Sequence, residues 1–272
     1  MTMRARVPAL ALGLLIAAAG VLTTSVAAAE PPWVDRHVTL PEHVWAFDFG
    51  IGIAHNYDPP RNPTGPGLNF EMSVSPIDRL ELGFRSGARL GNDARLNAAD
   101  GYGPDAYARL FDRQTFGTNH DDFANPEFRI RGALLRSRIV EIGVEGRVFL
   151  PAEHGSEVGI MAGFPFLFHL GQIARIDAGV YLPVVFYSPV LVDVSLPFDL
   201  WFQVTNHLWL GPMGGVVLDT NNNHAIVPFG FGLGYQIVRI VDLKTQFLFS
   251  DLNQTQGAQN FGVGVGVEVR IE

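Results

Sequence analysis

The side chains best placed to do chemistry in this chain are charged residues spaced two apart. Glu81, Arg85, Arg89, Glu127, Arg129, Arg131, Glu141, Glu145 and Arg147 fall on alternate positions of neighbouring segments, and Asp177, Asp193, Asp199, Asp242 and Lys244 continue the pattern towards the C-terminus. In extended chain this spacing puts them on one face. Two chemistries suit such a set. Unpaired charge in a narrow interior is costly, so acids and arginines can serve to neutralise one another. Alternatively, a basic strip facing an acidic wall makes a charge-patterned passage that orients a dipolar solute. In the second case these residues are the candidate lining of the passage, with Asp177, Asp193, Asp199 and Asp242 giving the far wall its acidic character. Lys244 is the single lysine, and the planar, permanently charged arginines that replace lysine elsewhere suit a fixed hydrogen-bonded network.

Other chemistries are poorly supplied. The run Asp219-Thr220-Asn221-Asn222-Asn223-His224 offers oxygen atoms at alternate positions. It lacks the central Gly and the bidentate Glu of a helix-loop-helix calcium site, and turn chemistry accounts for it. None of the eight His pairs at a short strand spacing, so no transition-metal signal is present. With no Cys, a thiolate site, a disulfide framework and a lipoprotein anchor are all excluded. The glycine-rich stretches lie within extended segments and open no helix, as a nucleotide loop would require. Neither a cofactor nor a metal is expected.

The elements that must position the charged set are strands. Trp45, Phe47, Phe49, Ile51 and Ile53 alternate with Ala46, Asp48, Gly50, Gly52 and Ala54, and Phe261 to Ile271 repeats the pattern at the end of the chain. A period of two marks strands with one apolar face. Between these lie segments expected as strands at 67–75, 79–90, 126–135, 139–150, 157–169, 174–186, 190–204, 208–219, 225–236 and 241–251, which makes about twelve. Tight turns near Pro76-Ile77-Asp78, Arg136-Ser137, Gly171-Gln172, Thr205-Asn206 and Val238-Arg239 alternate with looser polar connections, the longest at 91–125.

Upstream, Arg4 and Arg6 precede the apolar stretch Ala9 to Leu22 and the small residues Ala27-Ala28-Ala29. This is the form of a cleavable signal peptide, here residues 1–29. Its apolar run is shorter than the roughly 18 residues a spanning helix needs. Residues 30–43 would form a short periplasmic segment and residues 44–272 one large all-β domain. Cleavage after Ala29 removes two positive charges and no acid, leaving a mature chain more acidic than the −8 of the whole. A nucleic-acid partner is thereby disfavoured.

Strands of about ten residues, joined by short turns on one side and longer loops on the other, resemble the outer-membrane β-barrels of Gram-negative bacteria. The resemblance covers residues 44–272 and rests on pattern. It implies a single up-and-down antiparallel transmembrane barrel in contact with outer-membrane lipids, with both termini periplasmic and a porin-like passage for a small polar solute. A closed structural or adhesion barrel acting through its outer loops is the second reading. A secreted soluble β-sandwich would share the alternation. The faces argue for the barrel: one is dense in Phe, Leu and Val, as at Phe164, Phe166 and Phe168, whereas the other carries Gly230, Gly232, Gly234, Gly262, Gly264 and Gly266. Such glycines would leave room in a lumen for side chains arriving from the opposite wall. Trp45, Trp201, Trp209 and Tyr235 fall towards the turn side, at headgroup level. Trp201 and Trp209, however, share parity with the lumen face, which implies a bulge or a shifted register. Finally, His154-Gly155-Ser156 is similar to the His-x-Ser element of outer-membrane phospholipase barrels, but Phe168 stands where that family's pattern places Asn. A lipid-modifying enzyme is the third reading, and no catalytic residue is assigned.

Overall fold

Alternation of apolar with polar or small residues marks the wall segments, and these segments are strands. A computed structural model describes residues 32–55, 64–89, 126–151, 157–186, 188–220, 223–249, 251–253 and 257–272. Its strands are β1 (Trp45–His55), β2 (Thr64–Ile77), β3 (Leu80–Arg89), β4 (Glu127–Arg136), β5 (Val140–Phe149), β6 (Gly159–Leu170), β7 (Ala174–Val185), β8 (Leu191–Gln203), β9 (Leu208–Asp219), β10 (His224–Ile226), β11 (Phe229–Val238), β12 (Val241–Phe249) and β13 (Phe261–Ile271). Each pairs antiparallel with its neighbour, and β13 returns to pair with β1, so the sheet closes on itself. Both β10 and β11 pair with β9 in one register, Ile226 opposite Val217 and Phe229 opposite Gly214. They form one wall strand interrupted at Val227-Pro228, where proline lacks the N–H a ladder needs. The wall is therefore an up-and-down barrel of twelve strands, as expected.

Among the described residues the sheet closes on itself, and the two faces of the wall differ as the alternation requires. Phe49, Ile51, Ile53, Phe128, Ile130, Phe164, Phe198, Phe231 and Val265 are exposed on the outside. Asn69, Glu81, Arg85, Glu127, Arg129, Glu145, Arg147, Asp177, Asp199 and Lys244 are buried on the inside. A soluble β-sandwich does not fit an apolar outer surface of this extent, because water would face the Phe and Val side chains. A bilayer reverses that preference.

Register irregularities at Val74/Ile77, Ala133/Leu135 and Gln236/Val238 gather at the end of the barrel that carries the tight turns. There Ser75 Oγ bridges the β2–β3 bulge, lying 3.0 Å from the Ile77 carbonyl and 2.7 Å from that of Leu80. Arg79 closes the turn with φ of 66°.

The inward glycines are filled differently from the expectation. A Cβ on Gly163 would lie 2.2 Å from the Tyr181 ring, and one on Gly179 2.4 Å from the same ring. A Cβ on Gly234 would meet the Trp209 indole at 2.1 Å. At Gly83 the guanidinium of Arg129 lies over the bare backbone at 3.1 Å. The space is taken by side chains of the same or the adjoining strand, not of the opposite wall. Hydrogen-bonded strands stand about 4.8 Å apart, so a large inward side chain beside its neighbour needs that neighbour to be small.

Candidate functional site: the charged lumen and its N-terminal segment

The charged residues of β2 to β5 form a ladder of ion pairs along one wall. Arg129 meets Glu71 at 2.9 Å, Glu81 at 2.7 Å and Ser73 Oγ at 2.9 Å. Arg131 meets Glu145 at 2.5 Å and Glu81 at 3.9 Å. Arg147 meets Glu127 at 2.7 Å and Glu145 at 2.5 Å, while Arg85 meets Asn69 at 3.0 Å and Glu127 at 3.8 Å. Acids and arginines thus alternate across adjacent strands, and the basic strip expected from Arg85, Arg129, Arg131 and Arg147 is compensated within its own wall. Pairing of this kind is what burial demands, since a buried ion without a partner is strongly destabilising.

Next to β2 in the wall, a second cluster joins β1, β12 and β13. Lys244 pairs with Asp48 and, at 2.7 Å, with Glu268, and Arg270 bridges Glu268 and Asp242, the latter at 3.2 Å. On β7, Arg175 grips Asp177 with Nη2 2.9 Å from Oδ2. Of the wall expected to be acidic, Asp177 and Asp242 are therefore neutralised. Asp199 accepts from the Gly214 N–H at 3.3 Å. Asp193 Oδ1 is buried without a hydrogen-bond partner among the described residues.

The inward parity of Trp201 and Trp209 needs no bulge and no change of register. Both indoles point into the lumen, where they receive Trp33 from the segment before β1. The Trp33 ring stacks on Trp209 at 5.2 Å with planes 6° apart, and meets Trp201 edge-on at 5.3 Å. Of the four aromatic residues expected at headgroup level, Trp45 and Tyr235 face outward and these two do not.

Residues 33–40 are consequently not a tail outside the barrel. Trp33–Asp35 form a single 3-10 turn, and Trp33 and Val34 are buried. The Val34 N–H donates to Gln203 on β8 at 3.3 Å, and the Val34 carbonyl lies 2.9 Å from His169 Nδ1 on β6. Arg175 on β7 donates to the Arg36 carbonyl at 3.0 Å, with its guanidinium 4.4 Å from the Trp33 ring centroid. Arg36 pairs with Asp242 on β12. The Val38 N–H donates to Glu141 on β5 at 3.1 Å, Arg136 on β4 donates to Thr39 Oγ1 at 2.7 Å, and the Leu40 N–H donates to Glu81 on β3 at 2.9 Å. A stretch of chain that reaches β3 to β9 and β12 must lie across the lumen. All of its contacts sit within a few residues of the tight turns, so it crosses at that end.

Sequence reasoning missed this segment, together with Glu71, Asp48, Glu268, Arg270, Arg175 and His169. All six share the inward parity of their strands and were legible in principle. Trp33 and Val34 carried an apolar signal in an otherwise polar stretch, but no periodicity ties them to partners some 170 residues away. Several expectations lie outside the described residues: the signal peptide, the loop at 91–125, the side chain of Arg89, and His154-Gly155-Ser156. Of the calcium-like run, His224 Nε2 lies 3.1 Å from Asp251 Oδ2.

A closed antiparallel wall, apolar outside and charged inside, makes the chain a transmembrane β-barrel of the bacterial outer membrane. More particularly, its fold is that of outer-membrane porins. A solved structure described as the KdgM porin superposes with a TM-score of 0.56 at 7% identity, covering 84% of this chain and 99% of that one. The NanC porin superposes with a TM-score of 0.59 at 6% identity, covering 83% of this chain and 100% of that one. At such identities the likeness is one of fold. No protein-family profile and no curated protein matches the sequence.

Proposed function

We propose that this barrel is a porin-like channel for small polar solutes, narrowed at its turn end by residues 33–40. The observation that carries the reading is the lining itself. A twelve-stranded wall of porin fold encloses charged side chains of both signs along its length, whereas a purely structural barrel needs only a packed interior. In this reading Glu81, Arg85, Arg129, Arg131, Glu141, Glu145, Arg147, Asp177, Asp193, Asp199, Asp242 and Lys244 border the path. Local compensation of the charges favours polar or dipolar solutes over one ion sign. The role is non-catalytic.

One observation favours the second reading, a closed barrel that acts through its outer loops: the N-terminal segment crosses the lumen and is anchored on both sides of it. Swelling of liposomes that contain the refolded mature chain separates the two. In isotonic solutions of small sugars or amino acids, the channel reading predicts solute entry well above that of protein-free liposomes. Entry no faster than in those controls, from protein verified as folded, would favour the closed barrel.

A further inference from the structure

We infer that His37, Glu141 and His169 form a site for one divalent transition-metal ion, zinc by its chemistry, that clasps the N-terminal segment to the barrel wall. His37 Nδ1 lies 2.5 Å from Glu141 Oε1, and His169 Nε2 lies 3.1 Å from the same oxygen. All three ligand atoms lie within 4.8 Å of one another. Zinc holds imidazole nitrogen and carboxylate oxygen at about 2.0 to 2.2 Å, so neighbouring ligands of a tetrahedral shell stand roughly 3.3 Å apart. Small movements of the His37 side chain therefore open the cluster to that spacing.

The surroundings of the cluster point the same way. The Val34 carbonyl, an obligate acceptor, faces His169 Nδ1 at 2.9 Å. Nδ1 must carry the proton, which leaves the lone pair of a neutral ring on Nε2, aimed at a carboxylate oxygen. Such a lone pair needs a cation or a second proton between it and the oxygen. A backbone carbonyl on the far nitrogen is also how metal-ligating histidines are commonly oriented. Glu141 Oε2 is already engaged by the Val38 N–H at 3.1 Å, so Oε1 alone serves the two histidines. The arginines beside the cluster are committed elsewhere. Arg136 approaches Oε2 at 3.9 Å but is held by Asp78 at 3.0 Å and by Thr39. Arg175, the register partner of His169, grips Asp177. Glu141 and His169 are buried, whereas the His37 side chain is 47% exposed, which gives an ion a way in and leaves a coordination position for water.

The inference concerns binding and stands whether or not the barrel conducts. It is tested by calorimetric titration of the refolded mature chain in detergent with Zn²⁺ alone, and with Co²⁺, whose tetrahedral complexes absorb strongly in the visible. One Zn²⁺ per chain is expected, and His37→Ala should weaken binding by at least about 100-fold, more than loss of an outer partner usually costs. His43→Ala, on an exposed ring outside the cluster, should change nothing. Zn²⁺ should also slow tryptic cleavage after Arg36 in the parent chain and not in His37→Ala. Glu141→Gln removes a buried partner and can impair folding, but the half-exposed His37 keeps the question answerable. Absence of Zn²⁺ binding by the parent, or equal binding by His37→Ala and His43→Ala, would overturn the site and leave an imidazolium–carboxylate pair in its place.

Discussion

Arg36 and His37 are neighbours in the chain, yet their side chains end on opposite walls of the barrel. Arg36 pairs with Asp242 on β12 and His37 with Glu141 on β5, strands six apart in a ring of twelve. The peptide between them therefore lies across the lumen, and the stack of Trp33 on Trp209 holds one side of the crossing in place.

Trp33→Ala should release this segment without opening the wall. Truncating a buried aromatic residue costs about 3 to 5 kcal/mol, which here falls on the docking of the segment, because the twelve-stranded ladder does not pass through Trp33. Trypsin should cut after Arg36 much faster in the variant than in the parent. Heat-modifiable mobility on gels should be the same for both. Equal cleavage rates would mean that the indole does not anchor the segment.

Lipid-facing and lumen-facing positions should respond oppositely to polarity on β13. Val265 points outward opposite Ile51, and Gly264 points inward opposite Gly52. Val265→Arg puts charge into hydrocarbon at about 2 to 4 kcal/mol, whereas Gly264→Ser adds a hydroxyl to a polar interior. The folded yield in lipid vesicles, read from heat-modifiable mobility, should fall strongly for the first and little for the second. Equal yields would contradict the assignment of the two faces.

This inside–outside division was the most legible part of the protein. A period of two assigns each residue of β1 or β13 to a face from its number alone, and the charged residues of β3, β4 and β5 share one parity because they share one face. The parity of Trp201 and Trp209 was equally informative, but an aromatic residue near a barrel rim suggests a lipid girdle unless an inward partner is known. Trp33 is that partner, more than 160 residues upstream, and no local pattern links them. The metal-type cluster was hidden for the same reason. His37 and His169 have no short spacing and meet only because the segment before β1 folds back into the barrel that β1 closes.

Ion pairing along β2 to β5 makes a prediction about selectivity. Arg129→Gln together with Arg131→Gln removes the ion pairs that these arginines make with Glu71, Glu81 and Glu145, while Arg147 stays on Glu145. The reversal potential of a conducting channel should then move towards cation preference. An unchanged reversal potential would place these pairs off the permeation path.

Single-channel recording distinguishes a conducting lumen narrowed by its own N-terminal segment from a sealed one. The intact mature chain and the double variant Trp33→Ala, Arg36→Ala are refolded and inserted into planar bilayers under the same conditions. Discrete current steps are predicted from the variant, with a conductance larger than that of the intact chain. Folded protein that passes no current in either form, or steps of identical size in both, would rule out a conducting lumen narrowed by residues 33–40.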